Sequence, residues 1–361
     1  MNSLGFDKLP GETRVVVAMS GGVDSSVTAM LLRNEGYEVI GVTMQLFDDA
    51  SPSSWGDAKR VADALGMPHH LVHFEREFSQ EVMDYFADTY LRGETPIPCV
   101  VCNKRIKFGE LMKAAKDLGA DALATGHYVR RVIGKNGPEL HKALDDSRDQ
   151  SYFLYALSKE QLDFLRFPLG EMKKTEVRNI AEQNNLPVAA KPDSQDICFI
   201  PEGAYAQVVE RLRPGAIKPG DIVDMNGSVL GKHHGIIHFT VGQRRGLNIN
   251  DREGENNDPL YVIKLDAKKN RVIVGPREAL VQSKVILRDM NWLADEVPAD
   301  GIEVYVRLRS PQTPISARFK MKPNREGEIT LTTPAYGVAP GQAGVIYDGD
   351  RVLGGGWIVG S

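Results

Sequence analysis

The chain has 361 residues, 42% of them hydrophobic and 25% charged, with a formal net charge of −4 and three cysteines. That length exceeds one ordinary core and predicts two or three domains; the slightly acidic total excludes a general nucleic-acid binder, and the few, odd-numbered cysteines exclude a disulfide scaffold. No apolar run approaches a membrane span and neither a leader nor a lipidation motif is visible, so no membrane association and a cytoplasmic location are expected.

Residues 14–125 alternate strand and helix patterns. Strands fall at Arg14–Ala18, Tyr37–Met44, His70–Phe74 and Ala122–Thr125, and helices at Ser26–Glu35, Asp57–Leu65 and Lys104–Leu118. Such alternation predicts an α/β fold, a Rossmann-like parallel sheet with helices on both faces, whose ligands bind at the carboxyl ends of the strands. Ser20, Met44 and Gly126-His127-Tyr128 fall at that edge, where Met44 is placed to cover an adenine ring or else to fill the core. Tyr128–Ile133 and Glu139–Leu144, separated by Gly134–Pro138, read as a hairpin projecting from the sheet. Lys173–Asn184 reads as an amphipathic helix with Val177, Ile180 and Ala181 on one face. From about residue 206 the pattern changes to short β-rich runs broken by glycine and proline, without helix-length periodicity. The expected domains are therefore 1–205, a small β-rich central domain at 206–280, and a compact β-barrel or sandwich at 281–361, for which the barrel is taken.

The stretch from Val15 to Ser26 is a buried strand running into Ser20-Gly21-Gly22-Val23-Asp24-Ser25 and then a helix. Gly21 and Gly22 allow positive φ and close backbone approach, the serines offer hydroxyls, and the helix start supplies N–H donors at the positive end of a dipole. The loop lacks the lysine of a Walker loop and the spaced glycines of a dinucleotide fingerprint. It resembles instead the PP-loop of enzymes that cleave ATP between the α and β phosphates, where it would hold the departing pyrophosphate, with Asp24 helping to hold Mg2+.

Cys99 and Cys102 stand in the proline-stiffened stretch Thr95–Asn103, just before the helix expected from Lys104. A thiol near a helix N-terminus and beside Lys104 and Arg105 should ionise readily, which makes Cys102 a candidate nucleophile. A Cys-x-x-Cys pair is also half a zinc site, but no second pair completes it. Cys198, between Ile197 and Phe199 after the turn Lys191–Asp196, reads by itself as a small buried hydrophobe. Residues 1–205 carry a net −7 and residues 206–361 a net +3. In the basic half, Thr240–Leu247 combines glycines with Gln243, Arg244 and Arg245, and Arg307 and Arg309 share a strand face by alternation. Each is a candidate phosphate contact or a solvated surface.

The motifs Ser-Gly-Gly-Val-Asp-Ser at 20–25, Pro-Cys-Val-Val-Cys-Asn-Lys at 98–104, Gly-His-Tyr at 126–128 and Asp-Gln-Ser-Tyr-Phe-Leu at 149–154 are followed by Ile-Cys-Phe-Ile at 197–200, Thr-Val-Gly-Gln-Arg at 240–244 and Ala-Pro-Gly-Gln-Ala at 339–343. In this order they resemble the bacterial tRNA-specific 2-thiouridylases, of the PP-loop ATP pyrophosphatase superfamily. The resemblance implies ATP-dependent replacement of oxygen by sulfur at C2 of the wobble uridine of lysine, glutamate and glutamine tRNAs. The oxygen is adenylated first, because it leaves only as AMP. By the same resemblance Cys198 carries sulfur as a persulfide and Cys102 is its partner, a Cys102–Cys198 disulfide remaining to be reduced. The uridine must leave the anticodon stack, and the loops at 95–103 and 192–200 must close over it.

Residues carried over for ATP are Ala18, Met19, Ser20, Gly21, Gly22, Val23, Asp24, Ser25, Met44 and Gly126. Ile97, Pro98 and Cys99 are carried over for the target base, and His127, Arg148, Asp149, Gln150, Arg307, Leu308 and Gln342 for tRNA. An upstream sulfur donor, such as a cysteine desulfurase or a sulfur-relay protein, is implied as a partner. Much of the family has Asp where this chain has Cys99. The third thiol opens another reading, a 4Fe-4S cluster on Cys99, Cys102 and Cys198; the persulfide route is preferred. A PP-loop amide or amidine ligase would need no cysteines, and an RNA-binding module would need no intact glycine loop.

Overall fold

The computed structural model of the chain describes residues 1–47, 52–193, 196–201, 203–247, 249, 259–296 and 299–360. Ser194 and Gln195, in the turn before Cys198, lie outside the described residues. The chain forms two compact units. The first comprises Met1–Glu81, Cys99–Asp196 and Asp350–Leu353, and the second Val82–Pro98, Ile197–Gly349 and Gly354–Ser361.

The first unit is built on a parallel sheet of β1 (Arg14–Ala18), β2 (Glu38–Gln45), β3 (His69–His73), β4 (Ala122–Thr125) and the short β7 (Leu165–Arg166), in the order β3-β2-β1-β4-β7. Val15, Val16 and Val17 are fully buried, as a central parallel strand covered on both faces requires. On one face Val15, Val17 and Val39 pack with Ala58 and Val61 of the helix α2 (Pro52–Ala64). The helix α1 (Val23–Asn34) joins the same face through Ala29 and Leu32, and its outer side presents Val23, Val27 and Met30 to Val177 and Ala181 of the helix Lys174–Gln183. Because β1 lies between β2 and β4, the sheet order reverses there, and a crevice opens beyond the ends of β1 and β4.

Several elements differ from the sequence reading. A helical run occupies Glu75–Phe78, Ser79–Met83 and Asp84–Leu91, where none was expected; its middle segment has π-helical bonding, which shifts the apolar phase and hides the 3.6-residue repeat. The helix expected from Lys104 begins at Pro98 and passes through a π-helical stretch, Cys102–Glu110, into Leu111–Asp117. Proline at a helix start loses no hydrogen bond, so the residue that suggested a loop opens the helix instead. The hairpin is present as β5 (Val129–Gly134) and β6 (Gly137–Lys142), joined by only two residues. It does not project unsupported: Arg351 pairs with His141, and Asp350 accepts from Arg130 at 2.7 Å and from the Lys142 N–H at 2.8 Å.

The second unit contains a four-stranded sheet of β8 (Gly220–Val223), β9 (Val229–His233), β10 (Tyr261–Asp266) and β11 (Arg271–Gly275), in the order β10-β11-β8-β9. The strands β12 (Val281–Trp292), β13 (Ile302–Arg307), β14 (Ile315–Lys322), β15 (Glu326–Tyr336), β16 (Ala343–Asp348) and β17 (Arg351–Ile358) follow. In the order β12-β15-β14-β13-β16-β17 they form an antiparallel barrel, closed where Leu287 and Trp292 pair with Ile358 and Gly354. Closure removes the exposed edges that a sandwich would leave. A helix, Tyr205–Leu212, interrupts the β-rich texture; it buries only Val208 and Val209, too short a stripe to show as periodicity. The segment 82–98 is built into this unit: Phe86 meets Phe199 edge-on at 5.3 Å, Arg213 pairs with Asp84 and Asp88, and Arg288 pairs with Glu94. β13 ends at Arg307, so Arg309 lies beyond the strand and the two guanidiniums do not share a strand face.

Candidate active site

The apolar strand β1 delivers Ser20 to the crevice. Gly21 takes φ +71°, whereas Gly22 is extended at φ −97° and caps α1, so only the first glycine uses its positive-φ freedom. The Ser25 hydroxyl accepts from the Ser20 N–H at 3.2 Å and lies 3.3 Å from the Ser20 hydroxyl. The Ser26 hydroxyl donates to the Gly22 carbonyl at 2.8 Å. Ser20 is therefore the exposed hydroxyl of the three, and Ser25 and Ser26 hold the loop from behind. Gly126, at the end of β4, backs the same loop: a Cβ there would stand 2.8 Å from the Asp24 carbonyl carbon and 2.9 Å from the Ser25 nitrogen.

A cavity of about 280 Å³ opens at the loop, lined by Ser20, Gly22, Val23, Asp24, Tyr128, Arg148, Gln150, Lys174, Lys191, Pro192 and Asp193. Its walls are cations held by carboxylates. The Lys174 ammonium, only 8% exposed, donates to both Asp24 oxygens at 2.7 Å and stands 2.9 Å from Asp193. Tyr128 donates to Asp24 at 2.8 Å. Asp193 also pairs with Arg178 at 2.6 Å and Arg148 at 3.2 Å, and Lys191 donates to the Gly21 carbonyl at 3.0 Å and pairs with Asp57 at 2.6 Å. Burial by itself would raise the Asp193 pKa, but Lys174, Arg178 and Arg148 outweigh it and hold the carboxyl below its ordinary value. Burial, then the charge of Asp24, pushes the Tyr128 phenol far up, so it stays a donor. The cavity thus offers hydroxyl, backbone N–H and three cationic groups, a chemistry suited to polyphosphate.

Tyr128 belongs to the triplet expected at this edge, whereas sequence reasoning missed Lys174, Lys191 and Asp193 as cavity residues. Lys174 merely opened an amphipathic helix and the other two flanked Pro192, and no local pattern assigns such residues to a distant loop. Arg148 and Gln150, assigned to tRNA, line this cavity, and Gln150 accepts from the Tyr128 N–H at 2.8 Å. Asp149 is occupied locally: it accepts from the N–H groups of Ala143 and Ser151 and from the Ser151 hydroxyl. His127 lies against Phe108 and Phe167 and bonds Thr125 at 2.8 Å; burial, with Lys107 adding, holds its imidazole well below the ordinary pKa and therefore neutral. Met44 is partly buried near the end of β2 and is not among the cavity lining.

All three cysteines stand as thiols, Cys99 and Cys198 exposed and Cys102 buried. Since the helix opens at Pro98, Cys99 rather than Cys102 occupies its first turn, beyond which a helix dipole fades quickly. Even so, desolvation raises the Cys99 pKa against the pull of Lys107, with Asp196 adding to the rise. Arg105, expected to assist Cys102, lies 3.7 Å from Glu81. Cys198 is not the buried hydrophobe that its neighbours suggest, because Phe199 turns inward in its place. In the second unit Ile97 and Pro98 are buried, and Gln342 donates to the Thr95 carbonyl at 3.3 Å while the Thr95 N–H donates to Pro340 at 2.7 Å. Gln342 therefore fixes the backbone leading to Ile97. Arg307 is buried with its guanidinium 5.4 Å from the Tyr347 ring centre, and Leu308 is buried beside it.

Family models cover nearly the whole chain: one described as a tRNA methyl transferase HUP domain at residues 13–202, one as a tRNA methyl transferase PRC-barrel domain at 208–276, and one as an aminomethyltransferase beta-barrel domain at 282–358. A tRNA-specific 2-thiouridylase MnmA of Rhodospirillum centenum is 57% identical over 99% of this chain and 95% of its own length. Proteins of the same name from Hyphomonas neptunium and Paracoccus denitrificans are each 53% identical over 99% of this chain and 94% of theirs. The chain belongs to the tRNA-specific 2-thiouridylase family. Among solved structures, a 4-thiouridine synthetase in complex with RNA and ATP is 18% identical, with a TM-score of 0.36 over 57% of this chain and 51% of its own, a likeness too remote to bear on the chemistry. As a member of the 2-thiouridylase family the chain sets Cys99 and Cys102 on one helix and carries an exposed Cys198. No helix among the described residues is long and apolar enough to cross a membrane.

The Gly126 contact gives a first test. Gly126→Ala forces a methyl group into the loop backbone, a strain of about 1–3 kcal/mol, and should weaken ATP binding about tenfold or more in calorimetric titration. An unchanged dissociation constant would show that Gly126 does not shape the nucleotide site.

Proposed function

We propose that the protein replaces the C2 oxygen of a tRNA uridine with sulfur at the expense of ATP, the uridine being the wobble base of lysine, glutamate and glutamine tRNAs. Near-complete correspondence with 2-thiouridylases at 57% identity carries this reading. The proposed domains are 1–205 for catalysis and 206–280 and 281–361 for tRNA. Ala18 to Ser25 and Gly126 bind the triphosphate, Met44 covers the adenine, and Ile97, Pro98 and Cys99 border the base. His127, Asp149, Arg307, Leu308 and Gln342 keep their proposed tRNA assignment, the last by positioning the backbone before Ile97. Arg148 and Gln150 face both ligands.

Asp24 and the phosphates would hold Mg2+; the Asp24 carboxylate lines the cavity, and because both its oxygens accept from Lys174 the ion would share it with that ammonium. The ion supplies neutralisation of the pyrophosphate charge. Ser20, the backbone of the loop, Lys174 and Lys191 orient the β and γ phosphates so that the uridine oxygen attacks the α-phosphorus and pyrophosphate departs. The base is then activated with AMP as its leaving group. A Cys198 persulfide, charged by an upstream sulfur donor, attacks C2 through its outer sulfur and AMP leaves. The Cys102 thiolate next attacks the Cys198 sulfur, forming a Cys102–Cys198 disulfide and leaving sulfur on C2. Alternatively Cys102 attacks first and releases hydrosulfide, which displaces AMP. An external dithiol restores both thiols in either order.

Pyrophosphate release that requires a tRNA bearing uridine at the wobble position, together with 2-thiouridine in the digested product, tests the function. Release without tRNA dependence would sink it. Cys99 separates the two sulfur chemistries. Among the described residues no three His, Cys, Asp or Glu side chains are grouped as a metal requires, so no step is routed through a cluster. If Cys99 only borders the base, Cys99→Asp retains most activity and anaerobically purified protein contains little iron. Near-stoichiometric iron and sulfide, with a broad band about 400 nm and an inactive Cys99→Asp variant, would replace the persulfide with a 4Fe-4S cluster.

A further inference from the structure

The loop Thr240–Leu247 has no part in the chemistry above, yet it is built with unusual care. Gln243 folds back on its own backbone, accepting from the Thr240 N–H at 3.0 Å and donating to the Arg245 carbonyl at 3.0 Å. Gly242 donates to Val262 at 2.8 Å, and Val262 donates back to Gln243 at 2.9 Å. Val241 is buried against Leu280 and Ala339, and Leu247 is buried at the other end. What this fixed scaffold exposes is Arg244, Arg245 and Gly246.

A third guanidinium is brought to the same place. Arg309, exposed beyond β13, donates to the Gly337 carbonyl, and its terminal nitrogen would lie 3.4 Å from a Cβ on Gly242. Gly242 and Gly337 both take positive φ, +90° and +63°, and a Cβ on Gly337 would stand 3.4 Å from the Gly242 Cα. Only two glycines let these backbones approach so closely. Beside Gly337, Tyr336 is 51% exposed with Arg277 4.7 Å from its ring centre. Among the described residues none of Arg244, Arg245 and Arg309 takes part in an ion pair, whereas most arginines elsewhere in the protein face a carboxylate. Unneutralised guanidiniums on a pinned loop lose little entropy when they meet an anion, and their forked donors match phosphate. An exposed aromatic alongside suits a nucleotide.

We propose that Arg244 and Arg245, with Arg309 beside them, form a phosphate-contacting part of the RNA interface that is separate from base recognition. The inference rests on tRNA being the substrate. The test is filter binding of full-length tRNA across about 50–200 mM KCl. The Arg244→Gln/Arg245→Gln protein should bind about tenfold or more weakly at the low end. The slope of log affinity against log salt should fall by about 1–2, because each phosphate contact contributes about 0.7–0.9. Arg244→Lys/Arg245→Lys should keep most of the slope, and ATP affinity should be unchanged in both. Arg309 is left intact because it also holds Gly337. An unchanged slope in the glutamine variant, with or without weaker binding, overturns the proposal while leaving the function standing. Absence of salt-dependent tRNA binding by the wild-type protein would instead remove the function on which it rests.

Discussion

A Cys198→Ser protein is expected to release pyrophosphate on wobble-uridine tRNA at close to the wild-type rate and yet form no 2-thiouridine, a loss of at least about a thousandfold. Activation and sulfur delivery use different groups: the first needs the cavity at Ser20 and Asp24, the second a sulfur that serine cannot carry. Cys198 is exposed, with the neighbouring Phe199 filling the interior, so the substitution removes one sulfur atom without opening a cavity. Digestion of the tRNA and mass spectrometry would read the product, and a phosphate-coupled assay would read the activation. Wild-type thiolation by this variant would remove the persulfide from Cys198. Loss of both steps together would show that the cysteine supports adenylation as well, contrary to the division of labour proposed.

Asp24 should produce the other large effect. Asp24→Asn is expected to lower tRNA-dependent pyrophosphate release about 10²–10³-fold, the scale of removing one electrostatic contact to the reacting phosphates. From the sequence, Asp24 is a metal contact remote from the core. The structure adds a second role, because the carboxylate neutralises the buried Lys174 and accepts from Tyr128. Asp24→Ala should therefore also destabilise the protein by about 1–3 kcal/mol, since it strips charge-assisted bonds from a group shielded from water. Asparagine keeps an acceptor for Tyr128 and should melt closer to wild type. Equal stability of the two variants would mean that Asp193 alone satisfies Lys174, and wild-type release by the asparagine variant would take Asp24 out of the reaction.

The parallel sheet and its glycine loop were legible because their signals are local. Three consecutive valines dictate a strand buried on both faces, and two glycines after it leave a turn whose N–H groups point outward. The barrel was legible only as a texture. The helical run from Glu75 to Leu91 was not, because its π-helical turn breaks the repeat that betrays a helix, and Pro98 carries the signature of a loop although it begins a helix. The cysteines could be singled out by type and setting, but which of them lies in the first turn of a helix depended on that one-turn shift.

The sequence by itself determined the fold class, the phosphate loop and, through the order of its motifs, the family. The tertiary structure alone decided what surrounds that loop. Lys174 and Asp193 come from segments some 150 or more residues beyond Asp24, and their charges matter only because chain crossing places Lys174 2.7 Å from Asp24 and 2.9 Å from Asp193. Periodicity records which face of an element is apolar; it carries no record of which distant side chain will meet another. The same limit applies to Gln342, whose amide holds the Thr95 carbonyl, and to Gly242 and Gly337, whose close approach brings the sequence-distant Arg309 to the neighbouring pair Arg244 and Arg245. Local chemistry is written in neighbours along the chain, and the electrostatics of a site depends on neighbours in space.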